Sequence, residues 1–164
     1  MIVVSDAGPL IALSRIGKIG ILRELFGNVI IPQAVWNEVV ASGKGRPGQA
    51  EVESSGWIRL WNVSSRTSSE LLRERLGAGE SEAIVLALES GADLVLMDES
   101  RGRSVADAQG LKRIGTIGIL ILAKKRGLLV AVAPLLFELK KNGFHIDDAL
   151  FFDACALSGE TEDI

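Results

Sequence analysis

Short, uninterrupted aliphatic runs alternate along the chain with longer stretches in which apolar residues recur at helical spacing. Ile2–Ser5, Val29-Ile30-Ile31 and Leu94–Met97 contain no charged residue. Such runs read as strands covered on both faces, because a strand wet on one side would alternate apolar with polar residues. Trp57–Val63 and Arg113–Thr116 are predicted as two further strands. Between them the pattern changes to helix. Pro9 sits early in a helix running to Ile16, where its missing N–H costs little, and Ile19–Phe26 repeats apolar residues up to Gly27. Pro32 opens a helix through Val39-Val40 with Val35, Trp36 and Val39 on one face, and Ser42–Gly48 is the clearest loop.

The second half repeats the alternation. A short helix over Gln49–Ser54 precedes the Trp57 strand, and Thr67 or Ser68 is predicted to cap a helix to Leu76. Gly77 and Gly79 are expected to break the chain ahead of a helix over Glu80–Glu89. Helices over Ser100–Gln109, Ile119–Arg126, Pro134–Lys141 and Asp147–Leu157 follow. Alternating buried strands and helices specify an α/β fold, a mostly parallel sheet with helices on both faces. There is no internal repeat and no linker, so a single domain over residues 1–164 is expected.

Composition narrows the class without naming a chemistry. Hydrophobic residues make up 48% of the chain, which argues against a disordered chain and for a substantial core. One cysteine, Cys155, and one histidine, His145, exclude an internal disulfide and a Cys/His zinc set. The longest apolar run, Ile114–Ala123, is too short to span a bilayer, and no basic region precedes an N-terminal hydrophobic segment, so a soluble cytoplasmic protein is expected. A formal net charge of −3 means that a nucleic-acid partner would need a local basic face.

Chemistry is expected where strands end. In open α/β sheets ligands collect beyond the carboxyl ends of the strands. Two strands here run into acids, Asp6 and Asp98, and two helices next to strand ends carry Glu38 and Glu82. Each has an ordinary explanation alone: Asp6 and Asp98 as helix caps, Glu38 as a solvated helix residue, Glu80 or Glu82 as an acid favoured at a helix N-terminus. Together, carboxylates converging without fixed cations would repel one another unless a divalent ion neutralised them, and oxygen-only ligands point to Mg²⁺ or Mn²⁺. Such ions activate water and steady the charge on a phosphodiester.

The ordered segments SDAGPLIAL (5–13), IPQAVWNEV (31–39), GAGESEAIVLA (77–87) and LVLMDESRGRSVA (94–106) resemble a PIN-domain protein. GTIGILILAKKRGLL (115–129) and LLFELKKNGFHI (135–146) narrow the resemblance to a PIN-like branch of nucleic-acid-binding proteins related to VapC-type toxins. The resemblance covers nearly the whole chain. It implies a three-layer α/β/α fold and a metal-dependent endoribonuclease, the toxin of a toxin–antitoxin pair, acting on RNA, held in check by a small antitoxin and assembled as a homodimer. By position Asp6, Glu38, Glu82 and Asp98 match the family's catalytic acids, with Asp6, Glu82 and Asp98 as the implied metal ligands. Two departures stand out: the third position is Glu where most PIN nucleases have Asp, and Ala7 replaces a Thr or Ser.

Glu80 competes with Glu82, since residues two apart on a helix point roughly 200° from one another. The resemblance favours Glu82 for the cleft. Glu99 is a second-tier neighbour of Asp98. Arg101 and Arg103 follow Asp98 and are candidate phosphate contacts or partners of a cleft carboxylate, whereas Lys124–Arg126 reads as a solvated face. Other sites fit less well. GESEA lacks the strand and final Gly of a nucleophile elbow, GKGRPG lacks the context of a phosphate loop, and no lysine completes a receiver-type phosphorylation site. The main rival is a PIN fold kept as a nucleic-acid or protein-binding module, for which Leu150–Leu157 would be core, dimer seam or partner groove.

Overall fold

The computed structural model describes residues 1–160. Five strands form one sheet: β1 (Val3–Ser5), β2 (Val29–Ile31), β3 (Ile58–Leu60), β4 (Leu94–Leu96) and β5 (Arg113–Ile114). Their order is β3-β2-β1-β4-β5 and every pairing is parallel, with Val4 opposite both Ile30 and Val95. The aliphatic runs are uninterrupted because each strand alternates between two separate cores. Val3, Val29, Ile31 and Leu96 face one core, whereas Val4, Ile30, Val95 and Met97 face the other. The fold is therefore the three-layer α/β/α arrangement expected.

The first core is built largely by α1 (Ala7–Arg15), α2 (Gly20–Phe26), α8 (Thr116–Lys125), α9 (Ala133–Lys141) and α10 (Asp148–Leu157). The opposite core centres on α6 (Ala78–Ser90), with Leu72 of α5 (Arg66–Arg73) and Val105 of α7 (Ser100–Ala108) packed against it. Helix α3 (Gln33–Trp36) continues as a π-helical turn, Asn37–Ala41, and α4 (Gln49–Ser54) follows the loop. Among the described residues no helix is long and apolar enough to cross a membrane.

Several elements begin elsewhere than the sequence pattern suggested, each for a local reason. Gly79 lies inside α6 instead of breaking the chain, and Gly77 is the N-cap. Glycine costs about 1 kcal/mol relative to alanine in a helix, but a Cβ here would come 3.4 Å from Val35 Cγ2 and closer still to two carboxylates. The close approach of α6 to α3 requires it. Ser65, not Thr67 or Ser68, caps α5 by accepting from the Ser68 N–H at 3.4 Å. The strand predicted over Arg113–Thr116 stops at Ile114, and α8 starts at Thr116 because the Thr116 N–H turns to Asp98. The Trp57–Val63 strand shrinks to three residues at the sheet edge, leaving Trp61 exposed.

The chain leaves β1 toward β2 and β3 on one side and pairs β4 and β5 on the other. A crevice opens where the order reverses, beyond the carboxyl ends of β1 and β4. The Asp6 N–H donates to the Leu96 carbonyl at 2.9 Å, which fixes Asp6 at the mouth of that crevice.

Candidate active site

Beyond β1 and β4 lies a cleft of about 570 Å³ whose walls include Asp6, Glu38, Glu80, Glu82, Asp98 and Glu99. Four different elements deliver its deepest acids. Asp6 occupies the N-cap of α1, yet its side chain accepts no capping hydrogen bond, so the ordinary role of such an aspartate is unused. It is buried, at 5% exposure. Burial pushes its pKa up to about 7, with Glu80, Glu38 and Asp98 adding repulsion against the favourable Ala7 N–H.

Asp98 is held quite differently. Thr116 donates to both its oxygens, the N–H to Oδ1 at 2.7 Å and the hydroxyl to Oδ2 at 2.7 Å. Burial raises its pKa, while these two bonds and the Arg103 charge pull it back. The helix it caps is α8, eighteen residues away, and not the α7 helix that begins just after it. A Cβ at Gly115 would stand 2.8 Å from Asp98 Oδ1, so glycine makes that contact possible. Each carboxylate oxygen carries two lone pairs, so Asp98 retains acceptor capacity on both oxygens.

Glu38 projects from the π-helical turn, a local irregularity that is frequent at functional sites. Burial raises its pKa. Glu80 stands in the first turn of α6, and burial, Glu99 and Glu38 raise its pKa against the Arg101 charge. Gly79 ties this group together. A Cβ there would lie 3.0 Å from Glu38 Oε2 and 3.2 Å from Asp6 Oδ1.

Glu82 lines the same cleft, but its carboxylate is already engaged. Its Oε1 accepts from the Ala34 N–H at 3.1 Å and its Oε2 pairs with Arg73 Nη2 at 3.1 Å. It closes the start of α3 and fastens α5 to α6. The rotation of α6 that seats Gly79 against α3 turns Glu80 toward Asp6 and Glu38, and leaves Glu82 facing Arg73. Glu99 is exposed at the rim as the N-cap residue of α7.

Neither arginine proposed for phosphate lines this cleft. Arg101 is exposed and lines a neighbouring cavity with Glu80 and Glu99. Arg103 lies near Asp98 and Asp107, with a buried Nε that has no partner among the described residues. The cation that does line the cleft is Arg73. In sequence it reads as one more polar residue of a surface helix, and only its pairing with Glu82 sets it apart. The Leu150–Leu157 segment divides: Ala154 and Cys155 are buried, whereas Leu150, Phe152 and Leu157 are exposed.

As the side chains stand, no three of the described Asp, Glu, His or Cys residues are gathered tightly enough to enclose a metal ion. The acids instead line the crevice from different sides. Searches among curated proteins and among solved structures each found no match. A family model described as a PIN domain matches residues 2–160, the span that carries the sheet, both cores and the acidic crevice. The chain therefore belongs to the PIN-domain family, whose fold is of the nuclease type.

Proposed function

We propose that this chain is a Mg²⁺- or Mn²⁺-dependent endoribonuclease whose metal-binding acids are Asp6, Glu80 and Asp98, with Glu38 completing the set. The observation that carries the reading is the buried Asp6 in one cleft with Glu38, Glu80 and Asp98, its pKa raised to about 7 by burial and those carboxylates, with no ion-pair partner among the described residues. The donor set fits a hard divalent ion: all donors are carboxylate oxygens, and no His or Cys lines the cleft. Glycine at 79 and 115 leaves room where a Cβ would press on those oxygens.

A bound ion supplies Lewis-acid chemistry, lowering the pKa of water and neutralising charge on the phosphodiester. The protein groups divide the remaining work. Asp98, fixed by Thr116, is the rigid donor, and Asp6 is the buried one. Glu38 and Glu80 are longer, adjustable arms at the open side. Glu38 is placed to orient the attacking water and accept its proton. The toxin role, an antitoxin partner and a homodimer belong to the same proposal. They are supported by the family likeness and by exposed Phe137, Phe152 and Leu157 on α9 and α10.

The test is cleavage of single-stranded RNA by purified protein in Mn²⁺. Cleavage that stops with EDTA and falls at least about 100-fold in Asp98→Asn is expected. Intact RNA after incubation with the wild type in either metal overturns the reading. Gly79→Ala adds a sharper prediction. Alanine is the better helix former by about 1 kcal/mol, which offsets the cost of crowding Val35, Glu38 and Asp6, so the melting temperature should change little. Activity should nonetheless fall about 10-fold or more, because Glu38 and Asp6 must move from the added methyl group. An active variant would show that the close packing at Gly79 is immaterial to the site.

The dispersed acids favour one alternative, a PIN fold that binds nucleic acid without cutting it. RNA binding by wild-type protein with no metal-dependent cleavage would select it.

A further inference from the structure

Arg73 stands where three cavities meet. One is the carboxylate cleft, in whose lining it is the single cation among the described residues. The second is lined by Gln33, Asn62, Arg66 and Ser69, and the third by Arg75, Ser100 and Arg101; Arg73 contributes to both. Its side chain is 47% exposed and, among the described residues, donates only to Glu82. A guanidinium carries five N–H donors in a planar fork, so most of this one's capacity faces the cavities.

Stability does not explain the arrangement. A half-exposed ion pair contributes little to folding, whereas Glu82 is largely covered, at 15% exposure, and is anchored a second time by the Ala34 N–H. The fixed partner is Glu82 and the presented one is Arg73. A polyanion entering a cleft walled by six acids is repelled everywhere except at a bound metal and at this guanidinium. No aromatic residue lines any of the three cavities among the described residues, so there is no platform for stacking bases.

We propose that Arg73 seats the phosphodiester backbone of a single-stranded RNA as it crosses the carboxylate cleft, and that Glu82 is the positioning residue that holds Arg73 in place. The inference rests on the nuclease reading above for its substrate. The strand runs from the Arg66 side, over Arg73, to the Arg101 side. Recognition is through phosphates, so affinity depends on salt more than on base sequence.

The experiment measures binding of a fluorescent single-stranded oligoribonucleotide to Asp98→Asn protein in Mn²⁺ over a range of KCl, with Arg73→Gln, Arg73→Lys and Glu82→Gln added singly. Arg73→Gln should weaken binding about 10-fold and reduce the slope of log affinity against log salt by about 0.7. Arg73→Lys should keep the slope while losing part of the affinity, because the charge remains and the fork is lost. Glu82→Gln should weaken binding about 3-fold with the slope retained. Lys140→Ala, at an exposed position of α9, should change nothing. An Arg73→Gln protein that melts as its parent does and keeps both affinity and slope overturns the proposal. If that variant does not fold, an Arg73→Lys protein with unchanged affinity overturns it instead. Wild-type protein that binds RNA through Arg73 but never cleaves it defeats the nuclease reading alone; an Asp98→Asn parent that binds no RNA defeats the Arg73 proposal, and a wild type that neither binds nor cleaves RNA defeats both.

Discussion

Asp6→Asn is expected to abolish cleavage while making the metal-free chain more stable, by on the order of 2–4 kcal/mol at pH 8. The two effects share one cause. Asp6 is nearly sealed from water, and burial first, then Glu80, Glu38 and Asp98, lift its pKa from 3.8 to about 7 against the pull of the Ala7 N–H. Between those two pH values the folded chain holds a proton that the unfolded chain has released. Stability therefore falls as pH rises from about 4 to about 7, and the whole penalty is present above that range. Glu38, Glu80 and Asp98, all raised as well, push in the same direction. Thermal melts in EDTA should show the wild type losing stability between pH 5 and pH 8, and Asp6→Asn losing less. A variant less stable than wild type at pH 8 would mean that Asp6 is a supporting cap and not a strained ligand.

The second large effect separates two glutamates. Glu80→Gln is expected to lower Mn²⁺-dependent cleavage about 100-fold without lowering the melting temperature, since it relieves repulsion from Glu99 and Glu38. Glu82→Gln should do the opposite. It weakens the bond to the part-buried Ala34 N–H, while the half-exposed Arg73 ion pair adds little, so a loss of about 1 kcal/mol in stability is expected. Cleavage should fall only about 10-fold, through displacement of α3 and Arg73. Parallel melts and rate measurements decide the matter. The reverse pattern would return the third acid position to Glu82.

Much of the framework is legible in the chain because it follows from local rules. Aliphatic runs too short for helices and too apolar for a wet sheet specify the parallel strands. Acids directly after two of them mark the crevice, and Asp6 and Asp98 need no tertiary information to be singled out. The choice between Glu80 and Glu82 does need it. Helical spacing separates their directions but says nothing about how α6 is rotated, and that rotation is set by Gly79 fitting against Val35, Glu38 and Asp6. A glycine that reads as a break is, in the fold, the point of closest approach. The role of Thr116 is equally invisible, because its contacts with Asp98 join residues eighteen apart. Arg73 escapes notice for another reason: nothing in a surface helix marks which of its arginines faces a cleft. The π-helical turn bearing Glu38 likewise has no signature in the spacing of Val35, Val39 and Val40.

The most direct test of the central claim, that the carboxylate cleft is a divalent-metal site built on Asp6 and Glu80, is Mn²⁺ titration followed by electron paramagnetic resonance at pH 7.5. The account predicts saturable binding to the wild type and to Glu82→Gln, weakened at least about 10-fold by Asp6→Asn and by Glu80→Gln. A wild type that binds no Mn²⁺, or binding that survives both substitutions unchanged, would contradict it.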